Sequence, residues 1–409
     1  MAGTALTAFS SFAEATGPLY LSGPRHVIAD AAKNTYSFGQ LMSGNRGNKK
    51  TIQGGESIRE SVKLNVTRRT RWHLPGDTHS WKNPQNLKKI QARFRYLITH
   101  MAWTKQEVLL NDKIKYGTSD AQFQQYVDLL YDKEGEMWMD KWNLLEESMW
   151  ALPISADMES DDGVQMYSIP AFVNGFPDGK FVPGSDNGAT WTTVEGINST
   201  DTGMSNFTPT VDTYSATTTN SDNIISTFDS MWKELRFEAP PSHADYFTDP
   251  RYGKYCIFTS KVGHTAYQQL LREHTAEGFH NVTGSQDPAF PDPAYYGIPV
   301  KWVSELQTAT LYPSGSGGTA VVSEGDAAAA MQAASGTPAT GPRFYWINSE
   351  FLHPVFHDEM YFEKDSVSRA HEDPDTYVMP VSTWCQMPCT SRKRQGYIEP
   401  SGDHYTALY

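Results

Sequence analysis

The stretch Ile90-Gln-Ala-Arg-Phe-Arg-Tyr-Leu-Ile98 sets the reading of this chain. Ile90, Ala92, Phe94, Tyr96 and Ile98 alternate with Gln91, Arg93, Arg95 and Leu97. A period of two gives a strand one apolar face and one largely polar, basic face. Upstream, Val62, Leu64 and Val66 alternate with Lys63, Asn65 and Thr67 in the same way. Pro75, Gly76, Asp77, Asn83 and Pro84 lie between the two runs and supply turn chemistry. The segment 57–103 is therefore expected to form one hairpin, with arms of about fifteen residues reaching roughly 45–50 Å. A two-stranded ribbon of that length is marginal alone in water. It needs a surface to lie on, and a sister subunit is the expected one.

Charge points the same way. Between Arg46 and Lys115 there are 16 basic residues against 5 acidic ones, a local +11 in a chain of net charge -13, which leaves -24 elsewhere. Such a split puts surfaces of opposite sign on one molecule, and copies of it would attract head to tail. The overall acidity argues against a dedicated nucleic-acid binder. The basic segment, with Arg68, Arg69, Arg71, Lys88, Lys89, Arg93 and Arg95, suits phosphates or the acidic part of a neighbouring copy, and the second is preferred.

The chain has 409 residues, of which 39% are hydrophobic, enough for folded cores and for two or more subdomains. Its three cysteines, Cys256, Cys385 and Cys389, do not make a disulfide scaffold, and an odd count suits a reducing compartment. Met1 to Ser22 has no positive charge and no long apolar core, so no secretion signal is expected, and no run of 18 apolar residues predicts a membrane span.

Around the hairpin the elements fall in a definite order. Residues 1–45, rich in Ala, Ser, Thr and Gly, read as an N-terminal arm that is ordered by neighbours. Phe123, Tyr126, Val127, Leu130, Met137, Trp138, Trp142, Leu145 and Met149 recur at three- and four-residue steps and predict a helix over 119–150. Ser119 is the expected N-cap, and Pro153 stops the run. The stripe reads as core, with Trp138 and Trp142 buried against a sheet drawn partly from 343–384 and Lys141 on the flank. After a Gly- and Thr-rich stretch over 157–219, a second helix is expected over 221–235, then a strand at 255–259, a helix carrying Tyr267 and Leu271, and a strand at 298–303. Residues 313–342, with Gly-Ser-Gly-Gly and an Ala run, read as an exposed insertion. Short strands follow from 344 to 384. The class is α+β.

No motif for catalysis stands out. There is no Gly-rich phosphate loop, nucleophile elbow or zinc-protease helix, and no catalytic, cofactor-binding or metal residue is assigned. His353 and His357 are the nearest thing to a ligand pair. Pro354 disfavours a helix, and in a strand the two stand too far apart for easy chelation. The acidic run Asp157, Glu159, Asp161 and Asp162 lacks the ligand spacing of a calcium loop and reads as a solvated turn.

This order of elements resembles the major capsid proteins of tailed bacteriophages, a fold shared with encapsulin shells. The hairpin at 57–103 and the helix at 119–150 match in order and length. Tyr255-Cys-Ile-Phe-Thr-Ser-Lys-Val-Gly-His-Thr-Ala-Tyr-Gln-Gln-Leu-Leu271 resembles the family's strand–Ser–helix unit, and Gly297-Ile-Pro-Val300 its Gly-X-Pro-Val strand. Phe344-Tyr-Trp-Ile-Asn348 is similar to the step that returns the chain to the peripheral domain, and Ser391-Arg-Lys-Arg-Gln-Gly396 to the Arg-rich end of the last strand. The resemblance implies an arm over 1–45, an extended hairpin loop over 46–106 and a peripheral domain with the spine helix over 107–165. It further implies an axial domain over 166–342 and a return to the peripheral domain over 343–409. It implies a non-enzymatic, cofactor-free subunit of an icosahedral head, self-assembling into hexamers and pentamers in the bacterial host cytoplasm. Its partners would be copies of itself, a portal, scaffolding or decoration proteins, and packaged double-stranded DNA held non-specifically on the inner face, with no membrane. An encapsulin-like compartment is the near alternative. A carbohydrate-binding surface protein is the distant one, which the missing secretion signal disfavours.

Overall fold

The computed structural model describes residues 37–44, 50–65, 72, 74, 87–107, 119–150, 164–173, 193–198, 201, 203–204, 206–215, 221–235, 255–276, 293–306, 312–314, 318–320, 343–371 and 375–401. The elements begin with α1 (Ser37–Gly44), β1 (Lys50–Ile52), β2 (Ser57–Lys63), β3 (Leu87–Arg93), β4 (Arg95–Thr104) and α2 (Ser119–Trp150). Next come α3 (Ile169–Phe172), β5 (Thr193–Val194), β6 (Ile197–Asn198), β7 (Thr210–Ser215), α4 (Ser221–Leu235), β8 (Tyr255–Thr259) and α5 (Lys261–Ala276). β9 (Ala294–Tyr295), β10 (Ile298–Trp302), β11 (Tyr312–Ser314), β12 (Gly318–Ala320), β13 (Phe344–Asn348) and β14 (Val355–His357) follow. The last are β15 (Glu363–Lys364), β16 (Ser368–Arg369), β17 (Thr376–Gln386) and β18 (Gly396–Ser401). The mixture is α+β. Of the expected arm over 1–45, residues 37–44 form α1, while 1–36, Arg68, Arg69, Arg71, the turn residues 75–84, the acidic run at 157–162 and most of the insertion at 313–342 lie outside the described residues.

The described residues divide between two compact units. The first takes Tyr96–Leu145 and Glu359–Trp384. Its centre is β17, which pairs with β4, with β15 at Glu363↔Ser382 and Lys364↔Val381, and with β16 at Ser368↔Val378 and Arg369↔Tyr377. Alternate residues of β4, Met101 and Trp103, join Met137 of α2 and Val381 in the core, where Tyr377 stacks on Trp103 at 6.1 Å. Helix α2 spans 32 residues, about 48 Å at 1.5 Å per residue.

Two expectations about α2 change here. Trp138 and Trp142 are only partly buried, each with its ring against Phe362, at 5.4 and 6.0 Å. Lys141, placed on the flank, is 1% exposed, with its Nζ 4.5 Å from the Phe362 ring centre. The reason is spacing: 141 lies one turn from both Met137 and Leu145, on the same face of the helix. Phe362 has a left-handed backbone, φ 52°, in a turn where a strand was expected.

The second unit takes Asn34–Arg95, Glu146–Asp358 and Cys385–Tyr409. Its sheet runs β7-β18-β13-β8-β10-β9, with β18–β7 and β10–β8 parallel and the other pairs antiparallel. Helices α4 and α5 supply Phe228, Met231, Leu235, Tyr267 and Leu271 to one core with Ile257, Trp346 and Ile398 of the sheet. Phe228 is its hub, edge-on to Phe344 at 5.0 Å and Trp346 at 5.3 Å and stacked on Tyr267 at 5.5 Å. Gly396 lets β18 approach α4. A Cβ there would stand 2.7 Å from Met231 Sδ and 2.9 Å from Leu235 Cδ1. Because β13 lies inside this sheet, the chain passes to the first unit only at Glu359 and not at 343.

Candidate assembly surface

The hairpin is built from β2 and β3, antiparallel over seven pairs from Ser57↔Arg93 to Lys63↔Leu87. Seven residues per arm span about 23 Å. Residues 95–103 do not continue it, since β4 pairs with β17 instead. The alternation read from the sequence breaks at Phe94, which leaves the strand and donates its N–H to Glu56 O at 3.2 Å. Phe94 and Arg95 are buried in succession, so the phase slips by one: Tyr96 and Ile98 face solvent and Met101 and Trp103 face the core. A one-residue slip exchanges every side chain between the two faces.

Paired residues share a face. Ile58, Ala92 and Ile90 form the inner face and are buried within their own unit. Arg59, Lys63, Lys89 and Arg93 occupy the outer face with Ser57, Ser61, Gln91 and Leu87, so that face carries basic groups without an acidic one. Arg93 reaches Glu56 at 3.5 Å from the loop before β2. Arg95, expected beside it on the basic face, is 7% exposed and belongs to the interior. Beyond the paired strands, Trp72 is 98% and Leu74 74% exposed, and Leu87 on the last pair is 68% exposed.

The root of the hairpin is held by residues far away in sequence. Gln386 donates from Nε2 to Arg93 O at 2.8 Å, while its Oε1 accepts Tyr167 N–H at 2.7 Å and Met387 N–H at 3.0 Å. The turn between β5 and β6 meets β3, where Gln91 N–H donates to Glu195 O at 3.1 Å. Glu195 Oε1 in turn accepts Cys389 N–H at 2.9 Å. Buried Arg392 donates from Nε to Phe172 O at 3.0 Å and from Nη1 to Phe207 O at 3.2 Å. Further along, Asn206 Nδ2 donates to Leu64 O at 2.8 Å. Of these residues the sequence reading reached only Arg392, inside the Ser391–Gly396 segment, and assigned it no such contact. The signals available were the Glu195-Gly196 turn between Val194 and Ile197, and the Arg-rich segment around Arg392.

His353 and His357 are both buried, and the His357 ring lies edge-on to Phe94 at 5.7 Å. Among the described residues no three His, Cys, Asp or Glu side chains gather as a metal site, and no helix is long and apolar enough to cross a membrane. All three cysteines are free thiols, and burial pushes that of Cys389 well up from its ordinary value.

No protein-family model and no curated protein sequence matches the chain. Solved structures do. The capsid asymmetric unit of cyanophage A-1(L) matches with a TM-score of 0.53 and 13% identity, covering 94% of this chain and 98% of that one. The capsid of cyanophage P-SCSP1u gives 0.49 and 10%, over 94% of each chain, and that of cyanophage Pam1 gives 0.45 and 12%, over 92% and 95%. The first likeness, over nearly the full length of both chains, shows that this chain has the phage capsid fold.

Proposed function

We propose that the chain is the structural subunit of an icosahedral bacteriophage head, self-associating into hexamers and pentamers around packaged double-stranded DNA. The observation that carries this reading is the hairpin. Its inner face is satisfied by its own chain, while its outer face is basic and its far part presents Trp72, Leu74 and Leu87 to solvent. A second copy, carrying the balance of negative charge, fits that surface by charge and by apolar area. The unit around β17 and α2 would be the peripheral domain, and the sheet unit with α4 and α5 the axial domain. The role is structural and not catalytic. Portal, scaffolding or decoration proteins and the DNA of the inner face would be the further partners, in the virion and, before it, in the host cytoplasm.

Electron microscopy of the purified protein is the test, with closed shells as the expected result. Small shells filled with protein cargo would favour an encapsulin-like compartment, and discrete particles under all conditions would sink the proposal. Reversing charge with Arg59→Glu and Lys89→Glu on the outer face should leave the subunit folded and abolish shells at low salt. Surface charges more than about 10 Å apart are largely screened at 0.1 M salt, so the defect should depend on ionic strength. Normal shells at low and high salt alike would remove the electrostatic part of the reading.

A further inference from the structure

We propose that Glu195 and Arg392 form a proton-operated anchor for the hairpin root, closed while the carboxyl keeps its proton and prone to open once the proton leaves. The turn that carries Glu195 is unusual. Glu195 and Gly196 have φ of 53° and 78°, both in the left-handed region. A two-residue hairpin turn of this kind normally holds Asn, Asp or Gly first. A glutamate there is a strained choice, and its side chain is buried instead of pointing to water.

What the side chain meets explains the choice. Oε1 accepts the Cys389 N–H, whereas Oε2 has no hydrogen-bond partner among the described residues. Arg392 lies near enough to act on it electrostatically, with Nε and Nη1 donating to two backbone carbonyls and Nη2 without a partner among the described residues. The charged and titratable groups facing Glu195 are Arg392, the Cys389 thiol and Glu60 of β2. Burial pushes the carboxyl from an ordinary 4.5 up to about 8, and the Cys389 N–H and then Arg392 offset this only in part. Arg392 itself is held down to about 10 by the same burial. The Glu195 carbonyl holds Gln91 N–H of β3, so the proton and the hairpin are coupled through one residue.

The sign follows from linkage. The closed turn holds the proton more tightly than an open, solvated one, so closure is favoured below 4.5 and weakens as pH rises towards about 8. One proton is involved, so the opening constant should rise about tenfold per pH unit across that range. Any consequence for shell assembly rests on the function proposed above, but the anchor itself is a property of the single chain.

Hydrogen exchange on the full-length, unassembled chain tests it. The amides of Gln91 and Cys389, corrected for intrinsic exchange, should show opening constants that climb about tenfold per unit from about pH 5 to pH 7. Those of Ile257 and Phe258 in β8 should stay level. Glu195→Gln should make Gln91 and Cys389 level too. Glu60→Gln, which removes a like charge facing Glu195, should end the climb at a lower pH, and it serves if Glu195→Gln does not fold. A pH-independent opening constant at Gln91 in the wild type would overturn the proposal. So would an undiminished climb in Glu195→Gln, or a Glu60→Gln profile identical to the wild type.

Discussion

Replacing Glu146 by alanine should release helix α1. Glu146 lies in the last turn of α2, and its carboxylate accepts Ser37 N–H at 3.0 Å, Phe38 N–H at 2.9 Å and Trp150 Nε1–H at 3.2 Å, as well as the Ser37 hydroxyl. The first N–H groups of a helix have no partner inside it, and a carboxylate also complements the positive end of its dipole. Trp150 keeps a second acceptor in Ser37 Oγ at 2.8 Å, so two backbone donors are stranded by Glu146→Ala. A buried donor left unpaired costs roughly 1–3 kcal/mol, which makes the total about 2–6 kcal/mol. That is a large share of the roughly 5–15 kcal/mol that holds a typical domain. Glu146→Gln keeps one acceptor oxygen and should lose about half as much. The readouts are denaturant unfolding of the full-length chain and exchange protection at the Phe38 amide. Phe38 packs edge-on to Phe356 at 6.3 Å, so loss of the cap should expose both. Burial outweighs the hydrogen bonds and raises the Glu146 carboxyl above its ordinary value. Its titration therefore adds stability at low pH that fades as pH rises through the raised value, and the gap to the alanine variant should narrow in the same direction. A Glu146→Ala chain within about 0.5 kcal/mol of the parent at acid pH, with Phe38 equally protected, would refute the capping argument.

Gly396→Ala should destabilise the sheet unit by about 1–3 kcal/mol through overpacking against Met231, Leu235 and Trp346 Cβ, seen as a lower denaturant midpoint. An unchanged midpoint would mean that α4 shifts freely. Lys141→Ala should cost about 1–3 kcal/mol, from lost packing of its stem and the contact with Phe362, whereas Leu144→Ala on the exposed side should stay within about 0.5 kcal/mol. Equal effects in thermal unfolding would contradict the assigned helix face.

The elements that could be read from the sequence are those with local causes. Helix α2 is found over Ser119–Trp150 because its apolar residues recur at helical spacing and Pro153 follows, and α4 over Ser221–Leu235 for the same kind of reason. The strand Tyr255–Thr259 and the helix after it also stand where their patterns put them. The order of these elements carried the resemblance to phage capsid subunits, and the overall match of fold agrees with it. Single positions within a repeat are decided by packing as well as by residue type. Lys141, expected on the flank, is buried because its spacing puts it with Met137 and Leu145.

Sequence by itself determined the class, the order of elements, the split of charge and the alternation that makes a hairpin. Only the tertiary structure decided where the hairpin ends and what holds it. The run from Ile90 to Ile98 looks continuous, yet it divides at Phe94 because the residues on either side pair with different strands, β2 before it and β17 after it. The roles of Glu195, Gln386 and Arg392 are not legible locally, since each is polar and buried by partners up to some hundreds of residues away. Periodicity reports how a segment shares itself between water and a core. It carries no information on which distant backbone group will satisfy a buried carboxylate or guanidinium, and that choice belongs to the folded chain.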